Sequence, residues 1–452
     1  MKQFFDNIKG DKAIWSVAIL LAIFSFMPVF SASSNLAYMN KGTGNTVAYL
    51  AKHFAHLALG FFILYRIQKI PYHRFRFISK ILLLVSCLLL VITMFAGVEQ
   101  GSAHRWLRVP ILGVTFQPSS IASIALMMFV ARYLAKNEGQ EINFKQSLLH
   151  LWLPIGGTLV LILPNNFSTA ALIFVMIVML VFVGRYPAKY LAAVCCIAGT
   201  SLLFFILTAK IVQKTNPENP PRIFVRVQTW ENRIYSFVDN KKSEDKEKSD
   251  EDYQIEKAKT AIASGGIYGL GQGKSVQKHF LPQSSSDFIF AIIVEEGGLI
   301  FGIGVLILYM FLFLRFVIAA HKANTLFGKL LVVGLGFPII FQALINMCVA
   351  VQLLPVTGQT LPLISSGGSA IWMTCVSIGI IISVTKKDDE VAAEIADKEK
   401  RDQVLKKLID EQMARDERLE SEMLSGVNDV DDDQDNYSIE EPNPMKAVLH
   451  KK

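Results

Sequence analysis

Long apolar runs, each closed by polar or Gly/Pro-rich residues, fill the chain from Ala13 to Thr385. A helix crossing the hydrocarbon layer needs about 20 mainly apolar residues. Runs of helix length fall near residues 13–30, 46–65, 79–96, 118–135, 149–163, 168–184, 190–212, 287–314, 330–352 and 369–385. Backbone inside a bilayer must satisfy its own hydrogen bonds, so the pattern predicts an all-α fold: a polytopic membrane helix bundle of about ten transmembrane helices. The first run follows Lys2, Lys9 and Lys12 and precedes Ser-Ala-Ser. Those flanks resemble a signal peptide, but the run is long enough to stay as a span.

Positive charge alternates between the connections. With the N-terminus inside, the cytoplasmic connections hold Arg66, Lys69, Arg74, Arg76 and Lys80, then Arg132, Lys136 and Lys145, then Arg185 and Lys189, then Arg315, Lys322 and Lys329. The opposite short loops have only Lys41, Arg105 and Arg108. The positive-inside rule then puts both termini in the cytoplasm. Residues 1–12 form a cytoplasmic N-terminus, 13–385 the transmembrane domain and 386–452 a charged tail, with a large extracytoplasmic loop, about 212–286, between helices 7 and 8.

Composition agrees: 452 residues with 52% hydrophobic and 18% charged side chains do not describe a soluble domain. The net charge of +7 divides unevenly. Past Thr385, 12 Lys and Arg face 20 Asp and Glu, whereas the membrane body has 33 against 18. A basic membrane body fixes orientation and meets membrane lipids; with no nucleic-acid motif present, nucleic acid is excluded as a partner. Cys87, Cys195, Cys196, Cys348 and Cys375 lie in apolar runs without metal-ligand spacing and read as packing residues. In the tail, Val391, Ile395, Val404, Leu405, Leu408, Ile409 and Leu419 recur at roughly helical spacing before an acidic segment too poor in apolar residues to fold. A solvated tail and a docking site for a cytoplasmic partner are both open readings.

Four segments facing outward interrupt helices with Gly, Pro and charge. In GSAHRWLRVPILGVTFQPSS (101–120), Arg105 suits a phosphate and Trp106 an interface, although simple anchoring explains both. In PNNFS (164–168), Pro164 ends one helix and Ser168 would start the next. The large loop combines RIFVRVQTWENRIYSF, an amphipathic surface stretch with Arg226 and Arg233, a charge run at 240–252, and a Gly-rich part that allows close approach to a ligand. It ends in LPQSSSDFIFAIIVEEGG, where Asp287 stands at the mouth of an apolar helix, as an N-cap, a general base or both. Glu295 and Glu296, about 12 Å further along, should avoid lipid. LLPVTGQTLPLISSGGS (353–369) reads as a broken or re-entrant segment.

These segments, in this order, resemble the SEDS family of bacterial cell-wall proteins, whose branches are FtsW and RodA. The resemblance rests on Gly101 to Trp106 with Gln117-Pro118-Ser119, on AIASGGIYGLGQG (261–273) with Lys278, on Leu281-Pro282 through Asp287 to Glu295-Glu296-Gly297, and on Pro355-Val-Thr-Gly with residues 362–369. Phe30 to Ser34 and the long tail look more like the FtsW branch. The resemblance implies a peptidoglycan glycosyltransferase that polymerises lipid II with inversion at the outer face of the cytoplasmic membrane, for septal wall synthesis. Its implied partners are a class B penicillin-binding transpeptidase and other division-complex membrane proteins. Asp287 takes the place of the family's essential aspartate, the base for the attacking sugar hydroxyl. Arg105, Arg226, Arg233, Lys274 and Lys278 would meet the pyrophosphate, and Trp106, Glu295, Ser365, Ser366, Gly367 and Gly368 complete the expected substrate site. A divalent cation, Mg or Mn, is the one cofactor allowed for.

The chain departs from the family pattern at Ser120 and Ser123, where Glu and Lys are common, at Asn165 to Phe167, and at Ser285-Ser286, where His-Thr is frequent. A flippase for lipid II, a RodA-type elongation polymerase and a division scaffold are the competing readings.

Overall fold

The computed structural model describes residues 10–39, 46–99, 104–108, 115–215, 227, 230, 231, 233, 237, 250–281, 284–386 and 401–418. Arg226, Pro282 and the tail's Val391, Ile395 and Leu419 lie outside these residues. Two compact units divide the chain, Met1–Lys387 and Asp388–Lys452. The described part of the second is a helix over residues 401–418 with Val404, Leu405, Leu408 and Ile409 exposed.

Every apolar run is helical. The first unit contains α1 (Lys12–Met39), α2 (Thr46–Ile67), α3 (Phe75–Ala96) and α4 (Pro118–Lys136). Next, α5 (Phe144–Ser147) passes through a π-helical turn (Leu148–Trp152) into α6 (Leu153–Ile162). It is followed by α7 (Phe167–Val183), α8 (Ala188–Thr215), α9 (Asp250–Gly265), α10 (Ile289–Lys322), α11 (Leu326–Ala350) and α12 (Gly368–Val384). Seven of these, α1 to α4, α8, α10 and α11, are long and apolar enough to cross a membrane; α7 and α12 are apolar but shorter. A small antiparallel sheet, β1 (Val98–Glu99), β2 (His104–Arg108) and β3 (Thr115–Phe116), sits between α3 and α4. Strands this short leave no alternating pattern by which to expect them.

Packing arranges the helices around α4 and α11. α3 lies along α4, α4 and α10 against α11, α2 against α12, and α1 against α2 and α10. α8 is peripheral, with Phe204, Leu207 and Ile211 exposed as lipid-facing residues are. At one end, Asp11 caps α1 through Ala13 N (2.9 Å), accepts from Arg315 of α10, and its own N–H donates to Thr385 Oγ1 just past α12 (2.9 Å). The carboxylate ties α1 to α10, and the backbone N–H adds the end of α12.

α10 corrects the run expected at 287–314. Gly298 breaks it, with φ 71° and ψ −175°. Residues 289–298 are buried on all sides, whereas Leu299 and Ile300 are half exposed. Residues 299–322 alone reach about 36 Å, enough to cross. The first part of α10 therefore belongs to the protein interior.

Replacing Asp11 with Ala removes the cap and leaves Arg315 partly buried without its partner. The expected loss is about 2 kcal/mol, read as a lower thermal midpoint of the purified protein.

Candidate active site

Asp287 lies in a turn over residues 284–288 that leads into α10. The N-cap position is Phe288, without a side-chain cap bond, so the capping reading of Asp287 does not hold. Its carboxylate is left for other contacts. The turn is held through its backbone: Ser366 N donates to Ser285 O (2.8 Å), Ser365 Oγ to Ser286 O (2.6 Å), and Asn346 Nδ2 to Asp287 O (2.8 Å). Asn346 Nδ2 also donates to Gln359 O (2.7 Å), and Leu361 N donates to Ser365 Oγ (2.7 Å). Three consecutive carbonyls are thereby clamped by α11 and the segment 353–367. Gly358, at φ 67°, brings that segment alongside the carboxylate: a Cβ there would lie 3.6 Å from Asp287 Oδ2.

Burial pushes the Asp287 carboxyl up to about 6, against the opposing pull of the Ser286 hydrogen bond and of Arg105 and Arg233. Both guanidiniums are themselves anchored. Arg105 Nε donates to Asn165 O in the turn between α6 and α7 (2.7 Å), and Arg233 Nη1 reaches Val356 O (3.4 Å). Arg105 also borders a small cavity of about 20 Å³ with Gln117, Ser119, Asn165 and Asn166. In that turn Asn166, not Ser168, caps α7, accepting from Thr169 N (3.2 Å). Trp106 follows Arg105 in β2 and so points to the opposite face of the strand. Among the described residues no cluster of three or more His, Cys, Asp or Glu could hold a metal. The lone carboxylate has guanidiniums for neighbours, which is a poor donor set for Mg or Mn.

A second polar group, about 12 Å along α10, absorbs several of the expected site residues. Glu295 is fully buried; it accepts from Ser275 Oγ, Val276 N (2.9 Å) and Gln277 N (3.1 Å). Glu296 accepts from Ser31 Oγ and Ser275 N. Lys278 Nζ donates to Gly273 O (2.8 Å) and Ser31 Oγ (3.3 Å). The Gly-rich segment packs on the break in α10: Leu270 N and Gly271 N donate to Glu295 O and Glu296 O, and Leu299 N to Gly266 O. A Cβ at Gly298 or Gly269 would fall 2.1 or 2.2 Å from a carbonyl oxygen of the other segment. These glycines serve close approach of backbone to backbone, correcting the expectation of a ligand cradle.

The structure thus joins Asp287, Arg105, Arg233 and the 353–367 segment. Ser365 positions the aspartate's turn, Ser366 is exposed at its edge and Gly367 caps α12. Gly368 packs against His56, where a Cβ would meet the ring at 2.7 Å. Glu295 and Lys278 hold the loop instead of facing the Asp287 site, and Lys274 is exposed on the Gly-rich turn. Sequence reasoning missed Asn346, whose signal was an amide inside an apolar helix.

Comparison with known proteins agrees with this architecture. The model of the FtsW/RodA/SpoVE family of cell cycle proteins matches residues 11–390. A probable peptidoglycan glycosyltransferase FtsW from Geobacter sulfurreducens is 30% identical over 384 residues, covering 83% of this chain and 95% of that protein. Stage V sporulation protein E of Bacillus subtilis is 26% identical over 83% of this chain and 97% of its own. The fold matches a chain from a solved peptidoglycan synthase complex, with a TM-score of 0.62 and 22% identity over 83% of this chain and 97% of that one. It also matches the rod shape determining protein RodA of Thermus thermophilus, with a TM-score of 0.57 and 22% identity over 83% and 96% of the two chains. The chain belongs to the FtsW/RodA/SpoVE family and is a polytopic helical membrane protein.

Replacing Glu295 with Ala should release the Gly-rich turn. Hydrogen exchange at the Val276 and Gln277 amides is expected to accelerate about tenfold or more, without exposing α11.

Proposed function

We propose that this chain is a peptidoglycan glycosyltransferase that polymerises lipid II at the outer face of the cytoplasmic membrane. The observation that carries this reading is a carboxylate raised toward neutrality by burial, yet facing two guanidiniums, at the mouth of a membrane helix. Ionised Asp287 accepts the proton of the acceptor sugar's 4-hydroxyl. The freed oxygen attacks the donor's anomeric carbon while the bond to the pyrophosphate breaks, so the configuration inverts. Undecaprenyl pyrophosphate departs with the bonding electrons, and Arg105 and Arg233 balance its growing charge. No step is routed through a metal.

The relatives named FtsW favour septal synthesis in division, and both termini lie in the cytoplasm by the charge asymmetry. The solved synthase complex, which coordinates polymerization and crosslinking, supports a transpeptidase partner of the class B penicillin-binding type.

Purified protein given labelled lipid II should make glycan strands, and Asp287→Asn should reduce them at least about a hundredfold while leaving the thermal midpoint near wild type. Strands of ordinary yield from that variant, or lipid II translocation without strands from the wild type, would refute the reading. The pH profile provides a second check. Because the base must be ionised, the rate should fall as pH drops through about 6. Arg105→Gln removes a neighbour that favours the ionised form, so its acid limb should move to higher pH.

A further inference from the structure

We propose that the end of the bundle opposite Asp287 holds the headgroup of an anionic phospholipid, in a groove between α3 and α4. The groove, of about 320 Å³, is lined by Arg76 and Phe77 from the first turn of α3 and by Arg132 and Lys136 from the last turns of α4. Three cations and a phenyl ring face it, and no acid does. Arg132 and Lys136, four residues apart, share one side of α4. Neither makes a hydrogen bond or ion pair with any described residue. Arg76 is steadied by the Phe327 ring, 5.0 Å from its guanidinium carbon.

Helix stability does not explain this arrangement. The macrodipole favours Lys136 at the end of α4, but it opposes Arg76 at the start of α3, where the first turn has no acidic residue and no side-chain cap. Orientation in the membrane does not require it either, since Arg66, Lys69 and Arg74 supply charge on the same connection without lining the groove. An anion in the groove would satisfy both guanidiniums.

The apolar surface next to the groove selects a lipid over a free phosphate. Phe77, Ile81, Leu84 and Leu88 are 72%, 50%, 65% and 57% exposed and, at spacings of four and three residues, run along one face of α3 away from the cations. A phosphodiester in the groove would lay its acyl chain on this stripe. Basic pockets between transmembrane helices are suited to such headgroups. In the orientation proposed above, the lipid belongs to the inner leaflet; the groove itself does not depend on that reading.

The test uses the full chain purified in detergent micelles, with phosphatidylglycerol or phosphatidylcholine added and bound lipid counted by native mass spectrometry. Phosphatidylglycerol should bind in preference. The triple variant R76Q/R132Q/K136Q should bind it about a hundredfold more weakly, whereas K145Q/K322Q/K329Q, with the same loss of charge elsewhere, should stay within about twofold of wild type. R132Q alone, the milder change, should weaken binding about fivefold, and R76K/R132K should retain most of it. Equal binding of the two lipids, equal losses in the two triple variants, an unchanged R132Q, or displacement by equimolar glycerol 3-phosphate would overturn the proposal. Asp287→Asn should bind phosphatidylglycerol as the wild type does, so that failure of the glycosyltransferase reading and failure of this one give separate results.

Discussion

The break in α10 at Gly298 is the constraint on which the half of the molecule around Asp287 depends. A helix interrupted inside a membrane protein leaves donors and acceptors that lipid cannot satisfy. Here the Gly-rich loop fills them with its own backbone, and the buried carboxylate of Glu295 fastens that loop with one hydroxyl and two amide donors. Because the break ends the exposed apolar part of α10, residues 289–297 become protein core between that part and the turn bearing Asp287.

The chemistry of that turn follows from opposing influences, of which burial is the largest. Burial favours the neutral acid; Ser286 and two arginines favour the ion. A carboxylate serving as a helix cap would lie firmly on the ionised side, its oxygens occupied by amides. Phe288 takes the cap position without a side-chain bond, and Asp287 stays basic enough to take a proton. Each arginine is held by a backbone carbonyl from a different loop, Asn165 or Val356. The charge around the carboxylate therefore depends on four connections folding together, those that carry Arg105, Asn165, Arg233 and Val356.

Much of this was legible in the residues. Helices appear at all the apolar runs because spans of that length have few alternatives in a bilayer; Asp287 stood out at a helix mouth, Arg105 in a loop between spans and Arg233 in an amphipathic stretch of the large loop. The internal partners of Glu295, Lys278 and the glycines were not legible, for a physical reason. A buried network and a ligand cradle use the same residue types, and only the partners across the fold distinguish them. Asn346 was overlooked because one amide in an apolar helix has no periodic signature, although its two hydrogen bonds join α11 to both halves of the site. The β1–β3 sheet escaped notice through shortness alone.

The clamp on the aspartate's turn grips main-chain oxygens at three successive positions. Every amino acid brings an identical carbonyl, so the side chain at 285 can change without disturbing the geometry. Ser285 is therefore an interchangeable part in a fixed mounting. Ser286 still offers the hydroxyl that Asp287 uses.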